Sequence, residues 1–276
     1  MLHERIYLDP SDERVYIDSY VADDRTVVKD AMLVIPGGGY HGVCFAREGE
    51  PIALAYMARG YNCFVLSYRV SDYATRPDCD GYPSQLIDAS RAIVYIRNHA
   101  SELNINPDHV FAVGFSAGGH LAGSLAILAD DEDVLSTVGC PRGMNRPTAS
   151  VLAYPVVTAM ADTHEGSFAH LMRMPYADIP ESDRRRLSLE EHVDERSAPL
   201  FIWHTAEDIV VPPVGSLMLA AKYTALHLPV SLRLYPYGGH GTALANEVTA
   251  CGGTASIQPL AEGWFEESVA WLKTIE

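Results

Sequence analysis

The chain has few of the features that mark membrane, disulfide-rich or metal-binding proteins. It carries five cysteines in 276 residues, an odd number with no C-x-x-C spacing. That pattern indicates reduced thiols in a cytoplasmic protein rather than a disulfide framework or a zinc site. No apolar run has the length of a membrane span, and the first ten residues lack the apolar segment of a signal peptide. We therefore expect a cytoplasmic protein without a membrane partner.

Positive charge is also scarce. Lys and Arg number 20 against 36 Asp and Glu, which gives a formal net charge of −16. Such a surface repels phosphate backbones and anionic lipid, so we expect no nucleic-acid partner. The hydrophobic content of 48% is typical of a soluble globular protein. The length suits one large α/β domain with a sizeable core, or two small domains.

Predicted strands and helices alternate along most of the chain. This order predicts an α/β fold with a mostly parallel central sheet and helices on both faces. The simplest organisation is one domain over residues 1–276 with an inserted helical cap at about 156–196. Residues 1–30 and 130–147 are predicted to be mainly turns and loop. The predicted strands are Val15–Val21, Ala31–Ile35, Asn62–Tyr68, Val110–Val113, Ala149–Tyr154, Leu200–His204 and Val230–Tyr235, and the predicted helices are Glu50–Arg59, Pro83–Leu103, Gly119–Leu128, Pro212–Leu226 and Glu262–Ile275.

A candidate nucleophile lies where one of these strands turns into a helix. The apolar strand Val110–Val113 leads into Gly114-Phe-Ser-Ala-Gly118, a G-x-S-x-G match, and an Ala/Leu-rich helix follows. The G-x-S-x-G motif alone occurs by chance in roughly one of every ten chains of this length. The strand–turn–helix context instead favours a strained turn that exposes Ser116, with small neighbours because side chains there would collide. The N–H of Ala117 would then face an oxyanion.

A serine hydroxyl needs a base to take its proton and an acid to orient that base. In a strand–turn–helix architecture these follow in chain order at the ends of later strands. The strand Leu200–His204 leads into an acidic loop with Glu207 and Asp208, of which we prefer Asp208. The strand Val230–Tyr235 leads into Gly239-His240-Gly241. The sequence therefore predicts Ser116, Asp208 and His240 as the catalytic residues.

Three segments resemble the α/β-hydrolase esterases: Gly114–His120, the run from His204 to Asp208 with Val211-Pro212 after it, and Gly239–Gly241. The likeness is strongest to bacterial acetyl-xylan-esterase-like and feruloyl-esterase-like members, often labelled lipase/esterase or sugar hydrolase, and extends from about Leu33 to the C-terminus. In that pattern the acid is the aspartate ahead of Val-Pro, which is Asp208 here.

The resemblance also gives a role to the glycine run after Ile35. Pro36-Gly37-Gly38-Gly39-Tyr40 stands where relatives carry His-Gly-Gly-Gly, with Pro36 in place of the histidine. The resemblance implies an oxyanion hole formed by backbone amides of Gly38 and Gly39 together with Ala117. We expect Tyr40 and His41, beside this loop, to contact the substrate.

The implied function is a serine carboxylesterase for short-acyl, chiefly acetyl, esters, including esters of carbohydrates. It needs no cofactor, and we expect no metal because no histidine pair has ligand spacing such as H-E-x-x-H. An amidase such as an arylformamidase, or a non-catalytic hydrolase-like binding protein, is the alternative. The expected partner is a small-molecule ester, and the sequence leaves a homodimer open.

The remaining histidines and the cap residues receive simpler interpretations. We expect His120 and His204 to be structural. Substrate size would be set by the loop at residues 69–83 and by the cap, unless their bulky side chains only pack the cap onto the sheet. The side chains in question are Tyr73, Tyr82, Met172, Met174 and Tyr176.

Overall fold

The computed structural model describes residues 1–72, 74–75, 80–250 and 254–275. Within these residues, eight strands form one sheet in the order β1-β2-β4-β3-β5-β6-β7-β8. β1 and β2 pair antiparallel at one edge of the sheet, and β2 also pairs antiparallel with β4. The six strands from β3 to β8 run parallel to one another. The predicted mostly parallel sheet is confirmed. The strands are β1 Leu2–Tyr7, β2 Tyr16–Val21, β3 Lys29–Ile35, β4 Asn62–Ser67, β5 Ile105–Phe115, β6 Ser150–Ala153, β7 Leu200–Thr205 and β8 Val230–Tyr235.

Helices cover both faces of this sheet. One buried cluster joins the sheet to helices on one side through Leu86, Leu121 and Leu219. A second joins it to helices on the other side through Ile52 and Trp264. The helices are α1 Phe45–Glu48, α2 Glu50–Met57, α3 Ser84–Asn98, α4 Ala100–Leu103, α5 Ala117–Ile127, α6 Glu132–Val138, α7 Glu165–Met172, α8 Glu181–Leu187, α9 Val214–Ala225 and α10 Trp264–Leu272.

The parallel strands bring the predicted site residues to one edge of the sheet. The glycine run follows β3, Ser116 follows β5, Asp208 follows β7 and His240 follows β8. Carboxyl ends of parallel strands share an edge, and crevices for ligands form there in open α/β sheets. The topology alone therefore gathers four segments that lie far apart in the chain.

The segment between β6 and β7 holds α7 and α8 and two short 3₁₀ turns, Tyr176–Asp178 and Leu189–Glu191. Phe168, Leu171 and Leu187 from this segment are buried in the main hydrophobic core. The segment is thus packed against the sheet layer in the region where the sequence predicts a helical cap. In the part of the chain that the structure describes, no helix combines the length and apolar character needed to cross a bilayer.

Three local differences from the sequence prediction have physical reasons. β1 falls in a stretch predicted to be mainly turns, because its mostly exposed side chains carry no buried alternation and its pairing with β2 alone defines it. The loop expected at 130–147 contains α6, whose first turn is capped by the Asp131 side chain accepting the N–H groups of Asp133 and Val134. The helix expected over Pro83–Leu103 is divided at His99 into α3 and α4.

Candidate active site

Ser116 lies on a strained turn between β5 and α5. Its φ of 55° and ψ of −119° are rare for a residue with a side chain. A Cβ at Gly114 would lie 2.1 Å from the carbonyl oxygen of Gly118, and one at Gly118 would lie 2.2 Å from the carbonyl oxygen of Ile35. Both distances are far below van der Waals contact, so the steric reason predicted for the flanking glycines is confirmed.

The structure brings Ser116, His240 and Asp208 into one hydrogen-bonded chain. Ser116 Oγ lies 2.8 Å from Nε2 of His240. The other ring nitrogen of His240, Nδ1, lies 2.7 Å from Oδ2 of Asp208. A carboxylate can only accept, so Nδ1 carries a proton and donates it to Asp208. Nε2 therefore faces the serine hydroxyl as the group able to accept its proton.

Asp208 is buried and its carboxylate is fully engaged. Oδ1 accepts the backbone N–H groups of Val210 at 3.0 Å and Val211 at 2.9 Å. Burial alone would raise the pKa of Asp208, but hydrogen bonds from His204 and His240 outweigh it, and the pKa lies well below the ordinary aspartate value. The carboxyl group is therefore ionised throughout the neutral pH range.

Glu207, the other acid that the loop offers, points elsewhere. Its Oε2 accepts the backbone N–H of Gly238 at 3.1 Å, and the residue is exposed. It contacts the backbone of the segment that carries His240, whereas Asp208 contacts the imidazole itself. The geometry thus agrees with the preference for Asp208.

His204 is a second histidine that contacts Asp208. Its Nε2 donates to the carbonyl oxygen of Val211 at 2.9 Å and lies 3.3 Å from Asp208 Oδ2. Its Nδ1 lies 2.9 Å from Ser216 Oγ. The ring is completely buried, which fits the structural role expected for it.

The glycine loop, residues 36–40, runs directly against the serine. A Cβ at Gly37 would lie 2.9 Å from Ser116 Cβ, so only glycine allows this approach. Gly38 and Gly39 line the cavity that contains Ser116. Ala117 is the first residue of α5, and N–H groups in the first turn of a helix lack intrahelical partners. All three residues predicted to supply these amides therefore lie next to Ser116 or line its cavity.

Ser116 and His240 open into a cavity of about 400 Å³. His41 lines it, as expected from the sequence, and its ring lies 4.8 Å from that of His170. The cap segment supplies further polar lining. The remaining lining residues are Gly38, Gly39, Cys44, Arg47, Glu48, His164, Gly166, His170, Val210 and Val211.

Tyr40, in contrast, is placed in the core. Only 1% of it is exposed, and its hydroxyl donates to Nδ1 of His120 at 2.7 Å. His120 Nε2 in turn donates to the carbonyl oxygen of Leu187 at 2.8 Å. Burial lowers the pKa of His120 to about 4. The expectation that the Tyr40 side chain contacts substrate is therefore corrected: its phenol positions a buried histidine that joins α5 to the end of α8.

The bulky side chains proposed to set substrate size also pack inward. Tyr82, Met172, Met174 and Tyr176 lie against the hydrophobic core, and the Tyr176 hydroxyl donates to the carbonyl oxygen of Ala159 at 2.7 Å. Tyr73, the other residue in that proposal, lies outside the described residues. The contacts of the four described side chains agree with the simpler interpretation, in which these side chains pack the cap onto the sheet.

Several cavity residues were missed by sequence reasoning. His164 caps the N-terminus of α7 by accepting the Ser167 N–H on Nδ1 at 3.2 Å, and burial lowers its pKa. A histidine before an acidic first turn is a weak cap signal that could have been noticed. Arg47 and Glu48 follow the glycine loop in a stretch without periodicity, and nothing in the sequence marks them.

Among the residues that the structure describes, no group of three or more His, Cys, Asp or Glu side chains is arranged to hold a metal ion.

Comparison with known proteins places this geometry in a family. A family model described as BD-FAE matches residues 17–223. An endo-1,4-β-xylanase B from Butyrivibrio fibrisolvens is 38% identical over 230 residues, which make up 83% of this chain and 35% of that protein. An acetylxylan esterase from Xylanibacter ruminicola is 27% identical over 214 residues, or 76% of this chain and 40% of that protein. The chain thus spans well under half the length of these two relatives.

A solved structure matches over nearly the full length of both chains. The acetyl ester-xyloside bifunctional hydrolase from Caldicellulosiruptor lactoaceticus superposes with a TM-score of 0.81 at 29% identity, covering 99% of this chain and 96% of that one. Fold, family model and relatives agree with one another. The chain belongs to the BD-FAE family of α/β-hydrolase esterases, which are carboxylic ester hydrolases.

Proposed function

We propose that Ser116, His240 and Asp208 form a catalytic triad that hydrolyses short-acyl esters, acetyl esters above all, including esters of carbohydrates. The observation that carries this proposal is the continuous contact from Ser116 Oγ through the His240 ring to Asp208, at 2.8 Å and 2.7 Å. Both distances suit proton transfer and orientation of the base.

The reaction follows from this arrangement. Ser116 Oγ attacks the ester carbonyl while His240 Nε2 takes the hydroxyl proton. The tetrahedral intermediate collapses, the alcohol leaves with the proton from His240, and an acyl-serine remains. Water then attacks the acyl carbonyl, giving its proton to His240, and the second collapse returns that proton to Ser116 and releases the carboxylic acid.

Charge develops on the carbonyl oxygen in both tetrahedral steps. We assign the stabilisation of this charge to the amides of Gly38, Gly39 and Ala117, because Gly38 and Gly39 line the cavity that contains Ser116 and Ala117 is the first residue of α5. Fixed backbone donors in a partly buried site stabilise such an oxyanion without reorganising. Asp208 stays ionised and stabilises the imidazolium that His240 becomes.

The substrate class rests on the cavity and on the relatives. Besides His240, three histidines and an arginine contribute to the lining near Ser116, so an alkyl chain lying against them would desolvate polar groups without pairing them. The names of the relatives refer to acetylxylan, xylan and acetyl ester–xyloside substrates. These names are the reason for proposing carbohydrate esters as substrates of this chain. Because the chain spans only part of the first two relatives, the proposal concerns this domain.

An active-site label tests the triad directly. We expect a fluorophosphonate to modify Ser116, seen by peptide mass mapping, and expect Ser116→Ala to abolish both labelling and p-nitrophenyl acetate hydrolysis. Ser136→Ala, on α6, is the matched control and should label as the wild type does. An intact protein that neither labels nor cleaves esters would establish the non-catalytic alternative. Hydrolysis of N-formylkynurenine in preference to acetyl esters would establish the amidase.

A further inference from the structure

A buried carboxylate, that of Glu48, lies behind the glycine loop. Only 1% of the residue is exposed. Its Oε2 accepts the backbone N–H of Gly37 at 2.8 Å, and its Oε1 accepts the phenolic O–H of Tyr154 at 3.0 Å. Arg47 Nη2 donates to Oε1 at 3.1 Å. Burying a carboxylate is costly unless it is paired and hydrogen-bonded, and here both oxygens are engaged.

Tyr154 carries the connection to the other side of the site. Its phenolic oxygen accepts the backbone N–H of Ala243 at 3.0 Å. Its ring meets the His240 imidazole edge-on, with centroids 5.0 Å apart and planes at 72°. Burial raises the pKa of Tyr154 well above its ordinary value, so the hydroxyl keeps the proton that it donates to Glu48.

These contacts form one path, which we call the brace. Its members in order are Gly37, Glu48, Tyr154 and Ala243. The brace begins in the loop that presents the Gly38 and Gly39 amides and ends in the segment that carries His240. Both ends are irregular backbone, so no strand pairing fixes the distance between them. A separate connection is therefore needed if that distance is to stay constant.

We propose that Glu48 and Tyr154 are positioning residues, which hold the glycine loop and the His240 segment at a fixed separation around Ser116. The inference rests on the proposed function, since it assigns a purpose to the geometry of that site. Oxyanion donors act when they lie about 2.7–3.1 Å from the developing charge. A misplacement of about 1 Å can cost about 100-fold in rate. One shared anchor keeps donors and base aligned together.

Two conservative variants interrupt the brace. Tyr154→Phe removes one oxygen and keeps the ring against His240. Glu48→Gln keeps the shape of the side chain but offers one acceptor oxygen where the brace uses two. Tyr56→Phe is the matched control for the phenol, because it removes a buried hydroxyl that lies 3.0 Å from Ser268, away from the site. Glu50→Gln, at an exposed position, is the control for the carboxylate.

The readouts are kcat and KM for p-nitrophenyl acetate and the inhibition constant of phenylboronic acid, which forms a tetrahedral adduct with the serine. We expect both brace variants to lower kcat by about 10- to 100-fold with KM within about twofold of wild type. The boronate should bind more weakly by a similar factor, since it needs the same donors. The double variant should lose little more than the worse single variant, because both break one path.

Folding is followed in parallel by circular dichroism and thermal melting. Tyr154→Phe with wild-type kcat and boronate affinity would overturn the proposal. So would a Tyr154→Phe protein that fails to fold while Tyr56→Phe folds, because the role would then be structural. An equal loss of kcat in Tyr56→Phe would overturn it as well. A folded wild type without esterase activity refutes the proposed function and the brace together, whereas an active wild type with unaffected variants refutes the brace alone.

Discussion

His240 and Asp208 meet through one short contact, 2.7 Å between Nδ1 and Oδ2, across 32 positions of sequence. The second oxygen of the carboxylate accepts the backbone N–H groups of Val210 and Val211. These two backbone donors fix how the carboxylate is rotated. The oxygen that faces His240 is therefore set by the turn after β7, and the orientation of the imidazole follows from it.

Asp208→Asn should be severe for a reason visible in this geometry. The backbone donors of Val210 and Val211 hold the amide oxygen, which turns the amide nitrogen toward His240 Nδ1. Nδ1 must then accept, and the ring proton moves to Nε2, where it blocks transfer from Ser116. We expect kcat to fall by on the order of 10³- to 10⁴-fold, measured with p-nitrophenyl acetate.

Glu207→Gln is the control for that change. The amide oxygen of the new side chain can still accept the Gly238 N–H, and the position is exposed. We expect kcat close to wild type. A harmful Glu207→Gln together with a harmless Asp208→Asn would show that Glu207 is the acid.

The sequence could predict much of this site because chain order and strand ends carry it. A serine on a glycine-flanked turn, an acidic loop and a glycine-flanked histidine each follow a predicted strand, and parallel strands bring such ends together. The residues of the cavity wall could not be predicted, because neither chain order nor strand ends determine their positions. His164, His170 and Glu48 reach the cavity only through tertiary packing of segments without periodicity, and Tyr40 carries no mark in the sequence that separates a core phenol from a lining one.

The fold likewise contains elements that the sequence predicts and elements that it does not. Apolar runs such as Ala31–Ile35 and Leu200–His204 predict strands, and all of these residues are buried on the sheet. β1 has almost no buried side chain, so its only determinant is backbone pairing with β2 at the sheet edge, which composition does not encode. The short helix α6 depends on a cap at Asp131 within a polar stretch, and a cap signal alone is weak against loop composition.

The buried His120 should make the protein less stable in mild acid. Its folded pKa of about 4 lies below the ordinary histidine value, so the unfolded chain binds an extra proton between about pH 4 and about pH 6.5. Stability conferred by the neutral ring is complete above that window and is lost as pH falls through it. The loss should reach about 3 kcal/mol in free energy of unfolding.

His120→Gln isolates this effect. The amide can still accept from Tyr40 and donate to Leu187 but does not titrate. Urea unfolding of both proteins at about pH 7 and about pH 4.5 should show the wild type losing more stability than the variant. Parallel pH dependence in the two proteins would mean that His120 binds its proton as readily in the folded state as in the unfolded one.

Acyl-chain length should decide between a small-ester pocket and a lipase-like site. The cavity beside Ser116 is about 400 Å³, and its wall includes the polar side chains of His41, His164 and His170. Methylenes that reach these histidines displace water from polar atoms with which they cannot pair, which offsets their hydrophobic gain. We expect kcat/KM for p-nitrophenyl esters to be highest from acetate to butyrate and to fall beyond hexanoate.

The same series, run beside acetylated xylose, separates the two parts of the substrate proposal. Acetylated xylose should be deacetylated by the wild type and left intact by Ser116→Ala. A maximum at octanoate or longer chains would refute the small-acyl pocket, because such a preference requires an extended apolar wall that favours each added methylene. Rapid cleavage of p-nitrophenyl acetate with no action on any acetylated sugar would keep the esterase and remove the carbohydrate, since the alcohol side alone would then be wrong.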